Sequence, residues 1–125
     1  VKTKRFVTKS VCYHAVVMAK DIEAKSLQLL TNSGFTAYQV SACRPSCHIL
    51  VFTSNKRILS QLNLLWGVKA FFYDKRESTD QTIADLNQIG KDQGILNSGD
   101  YTITLTSMPL KEKGMVNSLK VTEII

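Results

Sequence analysis

Proline, histidine and cysteine are all scarce in this sequence, and none of its apolar runs is long. The composition, with only two prolines and six glycines among 125 residues, rules out collagen-like repeats and proline-rich low-complexity chains. Three cysteines, Cys12, Cys43 and Cys47, are an odd number with no second pair of ligands behind the Cys-x3-Cys spacing, which excludes both a disulfide framework and a zinc motif. His48 adjoins Cys47, but neighbours on a strand point to opposite faces and do not readily share a metal. The thiols are therefore expected to be reduced and mostly buried, in a reducing compartment. No apolar run approaches the ~20 residues of a membrane span, and the start, Val1 to Lys9, has no apolar core of a signal peptide. A cytoplasmic, membrane-free protein is expected. The first residue is Val rather than Met, which suggests a chain cut or processed from something longer.

What is present is an ordinary globular balance: 44% hydrophobic and 21% charged residues in a length that suits one domain. The net charge of +6 admits anionic partners: phosphorylated metabolites, nucleic acid or an acidic neighbouring domain. Three of the sixteen basic residues fall in the first five positions, and the rest are scattered with few interleaved aromatics, so nucleic acid is not expected as a partner.

The patterning alternates helices and strands. Cys12, Ala15, Val16, Ala19 and Ile22 recur at helical spacing between Ser10 and Ala24. A buried strand follows at Ser26–Thr31, then a helix over Thr36–Arg44 carrying Ala37, Val40 and Ser41 and ended by Pro45. The continuous apolar run Ile49–Thr53 reads as a strand covered on both faces. Ser54 and Asn55 cap a third helix whose face is Ile58, Leu59, Leu62, Leu65 and Trp66, with Gly67 at its end. Val68–Tyr73 is a third strand. Ser78 and Gln81 form a capping box for a fourth helix with Ile83, Leu86 and Ile89, ending near Gly94. Asp100–Thr106 and Ser118–Ile124 are the last strands, and the stretch between them is too short for a confident crossover helix. The expected fold is therefore α/β: three layers, α/β/α, with a five-stranded, mostly parallel sheet and one antiparallel edge strand. Residues 1–9 read as a basic arm from a preceding domain and 10–125 as the domain itself.

Ligands of open parallel sheets sit outside the carboxyl ends of the strands, which draws attention to Thr31-Asn32-Ser33-Gly34-Phe35-Thr36. Its hydroxyls, its glycine and the free amides opening the next helix suit a phosphate, although a simple capped turn uses the same residues. The run lacks the Gly-Lys-Ser/Thr of a Walker loop. His14 and His48 have no nucleophile or orienting carboxylate in an arrangement that suggests catalysis, so no catalytic residues are assigned. Trp66 reads as helix packing. The pairs Lys56-Arg57 and Lys75-Arg76 read as solvated element ends within reach of a second phosphate.

Taken in order, Thr31 to Ala37, Cys43-Arg44-Pro45, Ile49 to Thr53, Trp66 to Ala70, Ser78-Thr79-Asp80, Gly99-Asp100 and Lys113 to Val121 resemble the carboxy-terminal α/β domain of pyruvate kinases. The resemblance spans about Ser10 to Ile124. It implies a regulatory and oligomerisation domain. The full-length enzyme would transfer phosphoryl from phosphoenolpyruvate to ADP with Mg2+ and K+, through a catalytic barrel domain of the same chain. No cofactor is implied for this domain alone. The likeness further implies a homo-oligomer, tetrameric in the full-length enzyme and a dimer here, and a sugar-phosphate effector. The effector's phosphate would lie on Thr31, Asn32, Ser33, Gly34 and Thr36, and a closing loop would supply Lys111, Lys113, Gly114 and Met115. Phe35 and Asn32 stand where relatives carry small or basic residues, so hydroxyls and amides would carry the phosphate with less help from charge. The alternative is a stand-alone α/β protein of the same fold that binds a phosphorylated ligand without kinase activity.

Overall fold

The computed structural model describes residues 4–31, 34–74, 79–106 and 118–124. Within them the elements alternate: α1 (Lys4–Asp21), β1 (Ser26–Leu30), α2 (Phe35–Ala42), β2 (His48–Thr53), α3 (Lys56–Leu62), β3 (Val68–Phe72), α4 (Thr79–Asp92), β4 (Tyr101–Thr106) and β5 (Ser118–Glu123). The strands form one sheet in the order β3-β2-β1-β4-β5. All its pairings are parallel except β4 with β5, where Tyr101 faces Glu123 and Thr106 faces Ser118. The mixed α/β architecture and its antiparallel edge are those expected from the sequence.

Side-chain alternation along the strands sorts the core into two layers. Leu27, Leu29, Ile49, Val51, Ile103 and Leu105 point to the face covered by α1, α2 and α3, where Cys12, Ala15, Ala19, Ala37, Val40 and Leu62 meet them. Leu50 and Phe52 point to the opposite face, where Leu86 of α4 and the following Ile95 and Leu96 close the second layer. β4 contributes its Thr102, Thr104 and Thr106 to that second face, all at most 2% exposed. The hydroxyls of Thr102 and Thr104 are drawn into a polar row: Thr104 donates to Gln28 Oε1 at 3.2 Å, and Thr102 meets Thr122 at 2.8 Å and Asn87 at 3.3 Å.

Several boundaries differ from the sequence reading. The first helix begins at Lys4, not Ser10, so residues 4–9 of the supposed arm are helical. The stripe extends backwards through Thr8, which is 1% exposed and one turn before Cys12, a position its hydroxyl disguised. Ile22 lies beyond the helix and is 36% exposed. There Glu23 takes a left-handed φ of 55°, and the amides of Glu23 and Ala24 bond back to the carbonyls of Lys20 and Ala19, closing the helix as a Schellman turn. The third helix stops at Leu62 rather than continuing to Trp66. Asn63 intercepts it: its side-chain amide donates to Leu59 O at 3.2 Å while its Oδ1 accepts the Ala70 amide of β3 at 2.9 Å. Trp66 is thus in a loop and 47% exposed, which corrects its reading as helix packing. The capping role of Asn55 is as expected, accepting from the Arg57 amide at 3.0 Å. The proposed box at Ser78 lies outside the described residues.

Candidate ligand site at the carboxyl edge of the sheet

Strand order fixes where a ligand can sit. From β1 the chain turns to β2 on one side, whereas β4 pairs on the other side of β1, so the order reverses between β1 and β4. In open parallel sheets the crevice at such a reversal, outside the carboxyl ends of the strands, is where ligands bind. The segment leaving β1 at this point is Thr31 to Thr36, the stretch singled out from sequence.

Its described residues are built for a tight turn. Thr31 is anchored to the neighbouring strand, its amide donating to Phe52 O at 3.0 Å. Its hydroxyl accepts the Gly34 amide at 3.1 Å. Gly34 precedes α2 with φ 85°, a left-handed conformation in which any side chain is strained. A Cβ there would also press on Leu62 Cδ2 at 3.2 Å, because α3 packs directly behind the turn. Gly34, at the N-cap position of α2, has no side chain with which to cap the helix. Thr36 is 5% exposed and turns into the protein, whereas Thr31 is half-buried at the rim.

The structure therefore brings together Thr31, Gly34 and Thr36. Asn32 and Ser33 lie outside the described residues, as do Lys111, Lys113, Gly114 and Met115 of the second loop and the pair Lys75-Arg76. Lys56 is turned away from this turn, its ammonium 5.0 Å from the Phe72 ring at the β3 edge. The histidines are remote and exposed. His14 Nδ1 bonds Ser10 O at 2.8 Å within α1, and His48 opens β2. Among the described residues no three His, Cys, Asp or Glu side chains converge to hold a metal ion. Free thiols are Cys12, Cys43 and Cys47, of which Cys43 is exposed. Burial, aided by nearby Cys43, pushes the Cys12 thiol up to about 12, and burial also raises Cys47. No helix among the described residues is long and apolar enough to cross a membrane.

A separate cleft of about 310 Å³ opens between the end of β3 and α4, beside Phe72, Asp74, Asp85 and Gln88. The Asp85 carboxylate there already accepts the Tyr73 hydroxyl and the Gln81 amide, each at 3.0 Å. It is a packed polar corner at the sheet's far edge, apart from the β1 turn.

Residues 9–122 match the family model for the pyruvate kinase alpha/beta domain. The chain belongs to that family. A pyruvate kinase of Lactobacillus delbrueckii subsp. bulgaricus is 28% identical over 114 residues, which is 91% of this chain and 19% of the relative. Isozyme A of chloroplastic pyruvate kinase from Nicotiana tabacum is 29% identical over 102 residues, covering 82% of this chain and 17% of the relative. The Clostridium acetobutylicum pyruvate kinase is 31% identical over 103 residues, covering 82% and 22%. The chain thus spans about a fifth of the length of the curated relatives it matches. A match from residue 9 onward takes in most of the pyruvate kinase α/β domain as folded here, including the turn after β1 and both strands of the antiparallel edge.

Proposed function

We propose that this chain is the regulatory and assembly domain of a pyruvate kinase, and that the turn after β1 holds the phosphate of a sugar-phosphate effector. One observation carries the site: a left-handed glycine turn, stapled by a threonine hydroxyl, leads into the N-terminus of α2 at the reversal of strand order. An anion there would meet hydroxyls and helix amides in a geometry that favours negative charge. On this reading the phosphoryl transfer from phosphoenolpyruvate to ADP belongs to a catalytic barrel domain, which would also carry the Mg2+ and K+ sites. The domain would work in a homo-oligomer in the cytoplasm, a reducing setting that suits three free thiols. Regulation then requires the effector to bind one arrangement of domains more tightly than another.

Isothermal titration of the chain with fructose bisphosphate, ribose 5-phosphate, glucose 6-phosphate and inorganic phosphate tests the site. Saturable binding, weakened about tenfold by Thr31→Val or Ser33→Ala, is expected for one charge-assisted bond lost in each. Absence of heat with all four ligands would leave an assembly domain with no effector site. Binding that survives both substitutions would move the site elsewhere.

A further inference from the structure

The two faces of the sheet are covered by unlike layers. Strand alternation turns Leu27 and Leu29 of β1 towards α1, α2 and α3, so Ser26 and Gln28 point to the α4 side, with Thr102 and Thr104 beside them on β4. Ser26, Gln28 and Thr102 are 0% exposed and Thr104 is 1%. Asn87 of α4 lies over β4, its Oδ1 accepting the Thr102 hydroxyl at 3.3 Å, while a Cβ on Gly90 of α4 would meet Leu50 of β2 at 3.5 Å. Because β1 runs between β2 and β4, Ser26 and Gln28 lie under the turn of α4 from Asn87 to Gly90.

Both of these β1 side chains have hydrogen-bonding capacity left over. The Ser26 hydroxyl and Gln28 Nε2 are buried without a protein partner. Thr104 occupies the other end of the Gln28 amide, donating to Oε1 at 3.2 Å, and whichever end of the amide faces Thr104, the opposite end stays unmet. Such a group bears the full cost of leaving water. Ser26 and Gln28 are two residues apart on one face of one strand, about 7 Å, which two hydrogen bonds to one bridging molecule span. The Thr102 hydroxyl stands across from Ser26 on β4 as a third polar group beside them. The remaining unpartnered buried hydroxyl among the described residues, that of Thr82, belongs to α4 itself, and none lies in the layer on the opposite face.

We propose that one buried water molecule bridges Ser26 Oγ and Gln28 Nε2 and is a fixed part of the fold. The chemistry of the groups selects water. A serine hydroxyl that donates or accepts, an amide that donates and a threonine hydroxyl beside them offer about three neutral bonds, the usual complement of an internal water. Among the described residues no charged side chain is buried, so an ion in this layer would find no counter-charge to offset its dehydration. Both side chains are fully enclosed, and a larger ligand would have to lift α4. The bridge holds β1 two residues before its end at Leu30, but it does not depend on an effector at the turn that follows.

Oxygen-17 relaxation dispersion of the solvent counts long-lived internal waters, and it is measured on the 125-residue chain and on Ser26→Val and Gln28→Met, with the fold of each checked by circular dichroism. Each variant removes one bond to the bridging water and puts apolar surface in its place, so the dispersion amplitude is expected to fall by about one water in both. Ser26→Ala gives an independent reading through its sign in urea unfolding. With a water on the hydroxyl, the substitution deletes a made hydrogen bond and raises the unfolding equilibrium constant about fivefold. In a dry layer the same substitution deletes an unmet polar group and lowers that constant. The idea fails if the parent's dispersion amplitude persists in Ser26→Val and Gln28→Met, or if Ser26→Ala makes the protein more stable.

Discussion

Gly34 is where a single atom would matter most at the candidate site. It combines a φ of 85° with α3 packed behind it, so alanine there suffers both backbone strain and the approach of Leu62 at 3.2 Å. Gly34→Ala is expected to lower stability by about 1–2 kcal/mol, the usual cost of a left-handed non-glycine residue, and to weaken any anion held by the turn. Urea unfolding checks the first effect and calorimetry the second. Cys12 offers a test at the same scale in a different variable. Its thiol is pushed up to about 12 in the folded protein by burial, from an ordinary value of 9.0. Between those values the unfolded chain gives up its proton and the folded one keeps it, so the unfolded state binds fewer protons and stability falls as pH rises. Below the ordinary value the contribution is complete. Unfolding free energies at about pH 8 and about pH 10 should therefore differ less in Cys12→Ala than in the parent, by up to about 1.4 kcal/mol per pH unit. An equal pH dependence in the two proteins would show that Cys12 ionises as freely folded as unfolded.

At the scale of elements, α4 shows how packing overrides propensity. Gly90 sits inside this helix, where alanine would ordinarily gain about 1 kcal/mol. Its added Cβ would lie 2.5 Å from Leu96 Cδ1 and 3.1 Å from Leu96 Cγ, and Leu96 is buried at 1% with little room to move. Overpacking of about 1–3 kcal/mol outweighs the propensity gain, so Gly90→Ala should lower the melting temperature. A rise would mean that Leu96 relaxes freely. The same competition explains which parts of the fold were legible in the sequence. The continuous apolar runs of β1 and β2 announce strands covered on both sides, and Ile83, Leu86 and Ile89 announce the buried face of α4. Thr8 hid the start of α1 because a buried hydroxyl does not look apolar. Asn63 hid the end of α3, because its effect depends on the Ala70 amide of a strand not yet placed. At the candidate site, Gly34 and the position of its turn could be read from residue types and strand alternation. That Thr36 turns inward while Thr31 stays at the rim could not, since it follows from the packing of α2 on the sheet.

Across the whole molecule, the sheet ends in two unlike edges. At β3 the Ala70 amide is occupied by Asn63 and the flank carries Lys69, devices that discourage another strand from pairing. At β5, Val121 is 39% exposed on the outermost strand, and α1, which touches β5, presents Phe6, Tyr13 and Val17 to solvent at 52%, 59% and 42%. Those three residues fall on one face of α1 at helical spacing, a partly exposed apolar stripe. Self-association of the domain, proposed above, is therefore expected at the α1 and β5 side and not at β3. Sedimentation velocity across a range of concentrations should show a dimer that Tyr13→Glu and Val121→Lys both shift towards monomer, while Leu64→Ser on the amino edge leaves it intact. A dimer that responds to Leu64→Ser instead would place the subunit contact at the loop after α3. A monomer at every concentration would mean that the apolar stripe of α1 is covered by another part of a longer protein.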